Sequence, residues 1–241
     1  MNKRMKSRVV LRAALVGMVG LLSACKASAA VIINEVYGGG GSSNAAASFK
    51  QDFVELYNTG STPVSLAGYL LQYSAAAATS FFSNSIFAFD TGSVIGAGDY
   101  LTINTGTIGT GGTPNPTANG TGGANLAAAS GSVRLLDNTG AKVDLVGYGT
   151  VFDYTGTPPA VKVEGPSDAN AAPLGTISTS LNRTGFADTD VNSADFTSAA
   201  PTPTLGVTST AVAVPTPEPV SLGLASLGAV TLLGRRRRRT A

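Results

Sequence analysis

Between residues 31 and 204 the apolar residues almost never recur at helical spacing. The Ala tracts at 45–47, 75–78 and 127–129 are too short to nucleate a helix. What recurs instead is short runs of β-branched and aromatic residues bounded by Gly, Asn, Asp, Ser or Pro, the local pattern of strands and turns. Strands are expected at 31–37, 53–57, 69–73, 81–89 (broken or bent), 100–103, 133–137, 142–148 and 180–183. Asn58-Thr59-Gly60 and Asn138-Thr139-Gly140 supply turn chemistry. About eight short strands without helices imply an all-β sandwich, and roughly 175 residues suffice to bury a core. The stretch 104–130, rich in Gly, Thr, Pro and Ala, is expected to be a long exposed loop.

The formal charge of +2 conceals an uneven distribution. Six basic residues precede Val31 and five more are the run 235–239, leaving only Lys50, Arg134, Lys142, Lys162 and Arg183 between Val31 and Val214. Against these five stand 13 acids from Glu35 to Asp195, so the middle of the chain is near −8. A basic footprint for phosphate backbones is missing there, which argues against a nucleic-acid partner.

Both ends carry export chemistry. Lys3, Arg4, Lys6, Arg8 and Arg12 precede the apolar stretch 13–22, which is too short to span a bilayer. Ala27-Ser28-Ala29 follows, a small-x-small site that places signal-peptidase cleavage between Ala29 and Ala30 or just after. Residues 1–30 are thus read as a secretory signal with a signal helix. Leu22-Ser23-Ala24-Cys25 resembles a lipobox, in which Cys25 would be lipidated; the ordinary site is favoured because a strand begins directly after Ala30. As the single cysteine, Cys25 excludes an internal disulfide.

At the other end, a Pro/Thr linker over 205–216 leads into Pro217-Glu218-Pro219, an apolar segment 220–234 and five arginines. Fifteen helical residues reach about 22 Å, short of a ~30 Å hydrocarbon core, and the arginines would stay cytoplasmic. This order of motif, short hydrophobic helix and basic tail over 217–241 resembles the PEP-CTERM sorting signal. The resemblance implies exosortase as a processing partner, a transient inner-membrane intermediate, and delivery to the surface or extracellular matrix of a Gram-negative bacterium that makes exopolysaccharide.

Within the middle, residues 31–41 (Val-Ile-Ile-Asn-Glu-Val-Tyr and four glycines) and Asp52-Phe53-Val54-Glu55-Leu56-Tyr57-Asn58 open a second pattern. It continues through Ser65-Leu66-Ala67-Gly68-Tyr69 and Val143-Asp144-Leu145-Val146-Gly147-Tyr148-Gly149. It closes with Ser180-Leu181-Asn182-Arg183, residues 188–196, and Ala200-Pro201-Thr202-Pro203. In this order the pattern resembles a bacterial lamin tail domain over 31–204. The resemblance implies an immunoglobulin-like β-sandwich and no activity of its own. In bacteria such domains resemble adaptors attached to secreted nucleases, phosphatases or other exported enzymes.

Chemistry is scarce. Without a histidine, and with Cys25 in the leader, the chain lacks the usual general base and zinc ligands. Glu35 and Glu55 are the best carboxylate pair: on neighbouring strands they could share a proton or a cation, or each could satisfy local donors such as Arg183. Ile33 and Tyr37 are expected on the face of Glu35, and Phe53 and Tyr57 on that of Glu55. Asp188, Asp190, Asn192 and Asp195 form the densest oxygen cluster, a calcium candidate weighed against turns capped by their own side chains. That cluster departs from the helix-loop-helix calcium loop, with Ser193 where glycine is wanted and Ala199 in place of a bidentate Glu. Gly38 to Gly41 lacks the helix and Lys-Ser/Thr of a phosphate loop and reads as a flexible turn. Tyr and Phe could stack on sugars, although Trp is absent.

The expectation is a non-catalytic binding or structural module, with exopolysaccharide or surface proteins as partners and no required cofactor, calcium aside. The alternative is a secreted carboxylate-dependent hydrolase, or an accessory domain acting with a separate nuclease or phosphatase.

Overall fold

A computed structural model describes residues 31–78, 84–153, 155 and 161–212. The signal segment, Cys25, Ala29, Ala30, Pro217, Glu218, Pro219 and the C-terminal apolar segment lie outside the described residues. Among the described residues twelve strands follow in chain order. They are β1 (Val31–Tyr37), β2 (Asp52–Asn58), β3 (Val64–Ser65), β4 (Leu70–Ala75), β5 (Asn84–Ala88) and β6 (Val94–Ile95). After these come β7 (Tyr100–Thr105), β8 (Gly120–Thr121), β9 (Gly131–Leu136), β10 (Lys142–Tyr148), β11 (Ser180–Arg183) and β12 (Phe196–Ala199). A single helical turn, α1 (Asn192–Asp195), precedes β12. Among the described residues no helix is long and apolar enough to cross a membrane.

The strands form a six-stranded sheet in the order β12-β11-β1-β2-β7-β8 and a four-stranded sheet in the order β10-β9-β4-β5, with β3 and β6 as a short ribbon. All pairings are antiparallel except β7 with β8. The core lies between the two sheets. Val31, Ile33, Val36, Val54, Leu56, Leu101 and Ile103 from the larger sheet meet Leu71, Phe87, Val133, Leu135, Val146 and Tyr148 from the smaller. Each such fully buried side chain contributes roughly 1.5–3 kcal/mol.

One irregularity decides the site. The β1–β2 register runs Ile33↔Leu56 and then Glu35↔Glu55, so Asn34 is an extra residue in β1. A bulge of this kind reverses which face the following side chains take. Ile33 therefore points into the core, opposite to Glu35, where strict alternation had put the two together. Ile32, across from Tyr57, takes the Glu35 face instead.

The stretch 104–130 is not the free loop its composition implied. Strand β7 extends into it as far as Thr105, and β8 pairs with β7. Asn115 clasps Gln51 through both main-chain groups (2.9 and 2.8 Å), Asn119 accepts from Thr102 N, and Ala124 and Leu126 are buried. Asn side chains here imitate strand partners, which composition alone does not reveal. Gly40 is similarly no loose hinge: a Cβ there would come within 2.2 Å of the Gln51 and Asp52 backbone.

Candidate functional site

Three zones concentrate the polar and aromatic side chains, and the one on the outer face of the six-stranded sheet, away from the core, holds the acid pair. Glu35 and Glu55 are direct cross-strand partners, each only 1 % exposed. They are covered by the segment after β12, Ala200-Pro201-Thr202-Pro203-Thr204. Proline has no N–H, so beyond Ala200 only Thr202 and Thr204 offer main-chain donors in this stretch. Thr202 N donates to Glu35 Oε1 at 2.9 Å, and Thr204 N donates to Glu55 Oε2. Alternate residues of the strap thus reach acids on adjacent strands. Ser180 Oγ adds a 2.6 Å bond to Glu35, and Asn34 Nδ2 a 2.8 Å bond to Glu55. Arg183 contacts neither acid.

Burial pushes the Glu55 carboxyl up to about 7, against the pull of Thr204 N and Asn34; the neighbouring Glu35 charge pushes the same way. Burial also raises Glu35, and its three hydrogen bonds offset only part of that. Thr102 Oγ1 lies 2.7 Å from Thr204 O and 3.2 Å from Glu55 Oε2. Shared between these two oxygens, the Thr102 hydroxyl pulls the Glu55 carboxyl down, less than Thr204 N and Asn34 do. The strap continues in the same manner: Asp99 accepts from Thr208 N and Oγ1 and from Ser209 Oγ (2.7, 2.7 and 3.1 Å), and Thr210 bridges Val94. Although partial burial opposes it, this set of donors holds Asp99 down to about 2. Residues 205–212, at the start of the expected linker, are thereby hydrogen-bonded to the domain.

A second polar centre sits where the β1–β11 ladder ends. Beyond Glu35, the β1 backbone finds side chains in place of a strand: Ile33 N donates to Asp144 Oδ2 (2.6 Å), and Arg183 Nε donates to Ile33 O (2.8 Å). Arg183 Nη2 completes the link to Asp144 at 2.7 Å, with both side chains fully buried. Its Nη1 donates to Ala187 O, and Asp188 and Asp195 each lie 3.5 Å from it. The guanidinium also stacks over Phe196, 4.5 Å from the ring centre. Glu164 joins through Lys142 and Asn192, and burial raises both Glu164 and Asp144.

The four oxygen residues of the 188–195 loop do not gather around one point, although Asp188 and Asp195 both flank Arg183. Asp195 accepts from Thr189 N and Oγ1 (3.0 and 2.7 Å) in a local turn. Asn192 is wholly buried; its Oδ1 accepts from Gly147 N and Glu164 N, and its Nδ2 donates to Leu145 O. Asp190 lies outward, 4.0 Å from Lys142 Nζ. Asp188 alone turns toward acids from elsewhere, Asp144 and Glu164.

The third zone is aromatic. Tyr57 and Tyr100 face each other across β2 and β7 with ring centres 4.8 Å apart, and Phe186 stacks on Tyr57 at 4.1 Å. Phe186 is 41 % exposed and holds φ = +57°, an uncommon conformation for a bulky residue.

A family model described as Lamin Tail Domain matches residues 25–150, just over half of the 241. The chain belongs to the lamin tail domain family. The family is one of immunoglobulin-like structural domains, in agreement with the two-sheet sandwich. No curated protein matches the chain significantly. In this lamin tail domain the matched span ends after β10, yet β11 and β12 extend the same sheet from β1 outward and supply Arg183. Sequence reading identified the Glu35–Glu55 pair but missed Asp144, Glu164 and the buried Lys162. Lys162 Nζ donates to the carbonyls of Ala75, Ala76 and Ala78 (3.3, 3.4 and 2.5 Å). The available signal was a charged residue within an apolar run, as in Val143-Asp144-Leu145-Val146 and Val161-Lys162-Val163.

Proposed function

We propose that this lamin tail domain is an exported, non-catalytic binding and structural module, sorted to the cell envelope or exopolysaccharide matrix by an exosortase. The observation that carries the non-catalytic reading is the sealing of Glu35 and Glu55. Their oxygens accept from Thr202, Thr204, Ser180 and Asn34, and the strap lies over them, so no substrate atom has an approach to the pair. The sorting part of the reading rests on the two terminal segments, with Pro217-Glu218-Pro219 as the processing motif and Ala29-Ala30 as the leader site.

Saccharide is the ligand class best supported. Tyr57, Tyr100 and Phe186 form an amphipathic aromatic cluster at the surface, and aromatic faces bury the C–H surface of a sugar while leaving its hydroxyls in water. Phe186 keeps an uncommon positive-φ conformation that stacks its ring on Tyr57 while leaving part of that ring at the surface. The test is a glycan array probed with the wild-type chain and with Phe186→Ala and Tyr100→Ala. Retention on acidic or neutral polysaccharides should fall about two- to tenfold in either variant, the scale of losing one aromatic contact. Wild-type retention by both variants, or turnover of a glycan or phosphoester that Glu55→Gln abolishes, would overturn the reading.

A further inference from the structure

Asp144 on β10, Glu164, and Asp188 in the loop after β11 come from three separate segments, yet one carboxylate oxygen of each lies within 4.8 Å of the other two. Two oxygens bound to one ion at about 2.4 Å are at most about 4.8 Å apart, so the three oxygens lie close enough together to share one Ca²⁺. Arg183 and Lys142 bring two positive charges against the five carboxylates of this region, counting Asp190 and Asp195.

The decisive detail is Asp188. Its side chain is only 10 % exposed, and Oδ1, shut off from solvent, accepts no hydrogen bond. Its nearest cation, Arg183 Nη1, stands at 3.5 Å and donates to Ala187 O instead. A buried carboxylate oxygen with no hydrogen bond is rare, and a missing ion is among its standard explanations. Asp144 and Glu164 retain lone pairs beyond those used by Ile33, Leu145, Arg183, Lys142 and Asn192.

We infer that Asp144, Glu164 and Asp188 form a calcium-type divalent-cation site, to which Asp188 brings a buried carboxylate oxygen that accepts no hydrogen bond. An open cavity of about 490 Å³ lined by Lys142, Glu164, Thr189 and Asp190 borders it and admits the waters that complete a hard cation's shell. This set differs from the linear run 188–195. Asn192 and Asp195 are engaged within the protein, and Asp190 is half-exposed beside Lys142.

Equilibrium dialysis of the full chain against CaCl₂ tests the site, with Asp188→Asn, Glu164→Gln and Asp190→Asn alongside. Asn keeps the shape of Asp188 and also tolerates the positive φ of Asp190 (+55°). The wild type should take up one Ca²⁺ per chain, half-saturating at or below about 1 mM, with Mg²⁺ weaker. Asp188→Asn and Glu164→Gln should each weaken uptake at least about tenfold, while Asp190→Asn stays within about threefold. No uptake by the wild type up to about 5 mM overturns the inference whatever the variants do, as extracellular calcium modules bind at or below that range. So does uptake unchanged in a folded Asp188→Asn, or a loss in Asp190→Asn as large as in Asp188→Asn. If Asp188→Asn lacks the wild-type circular dichroism, Glu164→Gln and the wild-type stoichiometry decide.

Discussion

Replacing Glu55 with Gln tests whether the strap closes over an acid that holds its proton. Glu55 ordinarily titrates near 4.5 and is pushed up to about 7 in the folded domain, chiefly by burial. A raised carboxyl binds its proton more tightly when folded. Its contribution to stability is therefore complete below pH 4.5 and is lost as pH rises to about 7. Each tenfold change in proton affinity corresponds to about 1.4 kcal/mol, so the contribution lost across this window is roughly 3 kcal/mol. Gln cannot titrate, and its amide fits if the Asn34 side chain turns to present its oxygen, since Asn34 Nδ2 now donates to Oε1. Urea unfolding followed by tyrosine fluorescence at pH 5, 6, 7 and 8 provides the comparison. The difference between variant and wild type cancels the raised acids that do not act on Glu55, namely Asp52, Asp144 and Glu164. Glu55→Gln should gain on the wild type progressively with pH, by about 2–3 kcal/mol at pH 8 relative to pH 5. A constant difference across that range would refute a neutral Glu55, and a difference of opposite sign would mean that the strap requires the charge.

Arg183→Met should cost about 3–5 kcal/mol in the same assay, because Asp144 is left charged and buried without its partner. Adding Asp144→Asn should recover part of that loss, and strict additivity would count against direct coupling. Gly40→Ala should cost at least about 2 kcal/mol, since the new methyl would meet the Gln51–Asp52 backbone; Gly123→Ala, which meets nothing within 4 Å, should be neutral to within about 0.5 kcal/mol. In a host with an active exosortase, a tag after Thr240 should vanish from the mature protein while a tag at Gly123 persists, and Glu218→Ala should retain both; recovery of both tags on one membrane-bound wild-type species would refute processing at Pro217-Glu218-Pro219.

The strands and their sandwich were legible because they depend on local chemistry. Short β-branched runs between Gly and Asn turns, such as Lys142–Tyr148 after Asn138-Thr139-Gly140, have no helical alternative. The exclusion of histidine and cysteine chemistry likewise follows from residue types alone. Even the Glu35–Glu55 pair was visible, as two acids in adjacent apolar runs.

Tertiary structure decided everything that depends on parity and on distance along the chain. The extra residue Asn34 moved Ile33 and Glu35 to opposite faces, and nothing in Ile-Ile-Asn-Glu marks a bulge, because a bulge is a relation between two strands. Pro201 and Pro203 read only as the close of the domain pattern, whereas their missing N–H groups leave Thr202 and Thr204 as the donors that reach Glu35 and Glu55, more than a hundred residues away. Asp188 read with its neighbours Asp190, Asn192 and Asp195 because they are adjacent in sequence. In the fold it faces Asp144 and Glu164 instead, since turns direct successive side chains apart while sheet edges bring distant ones together.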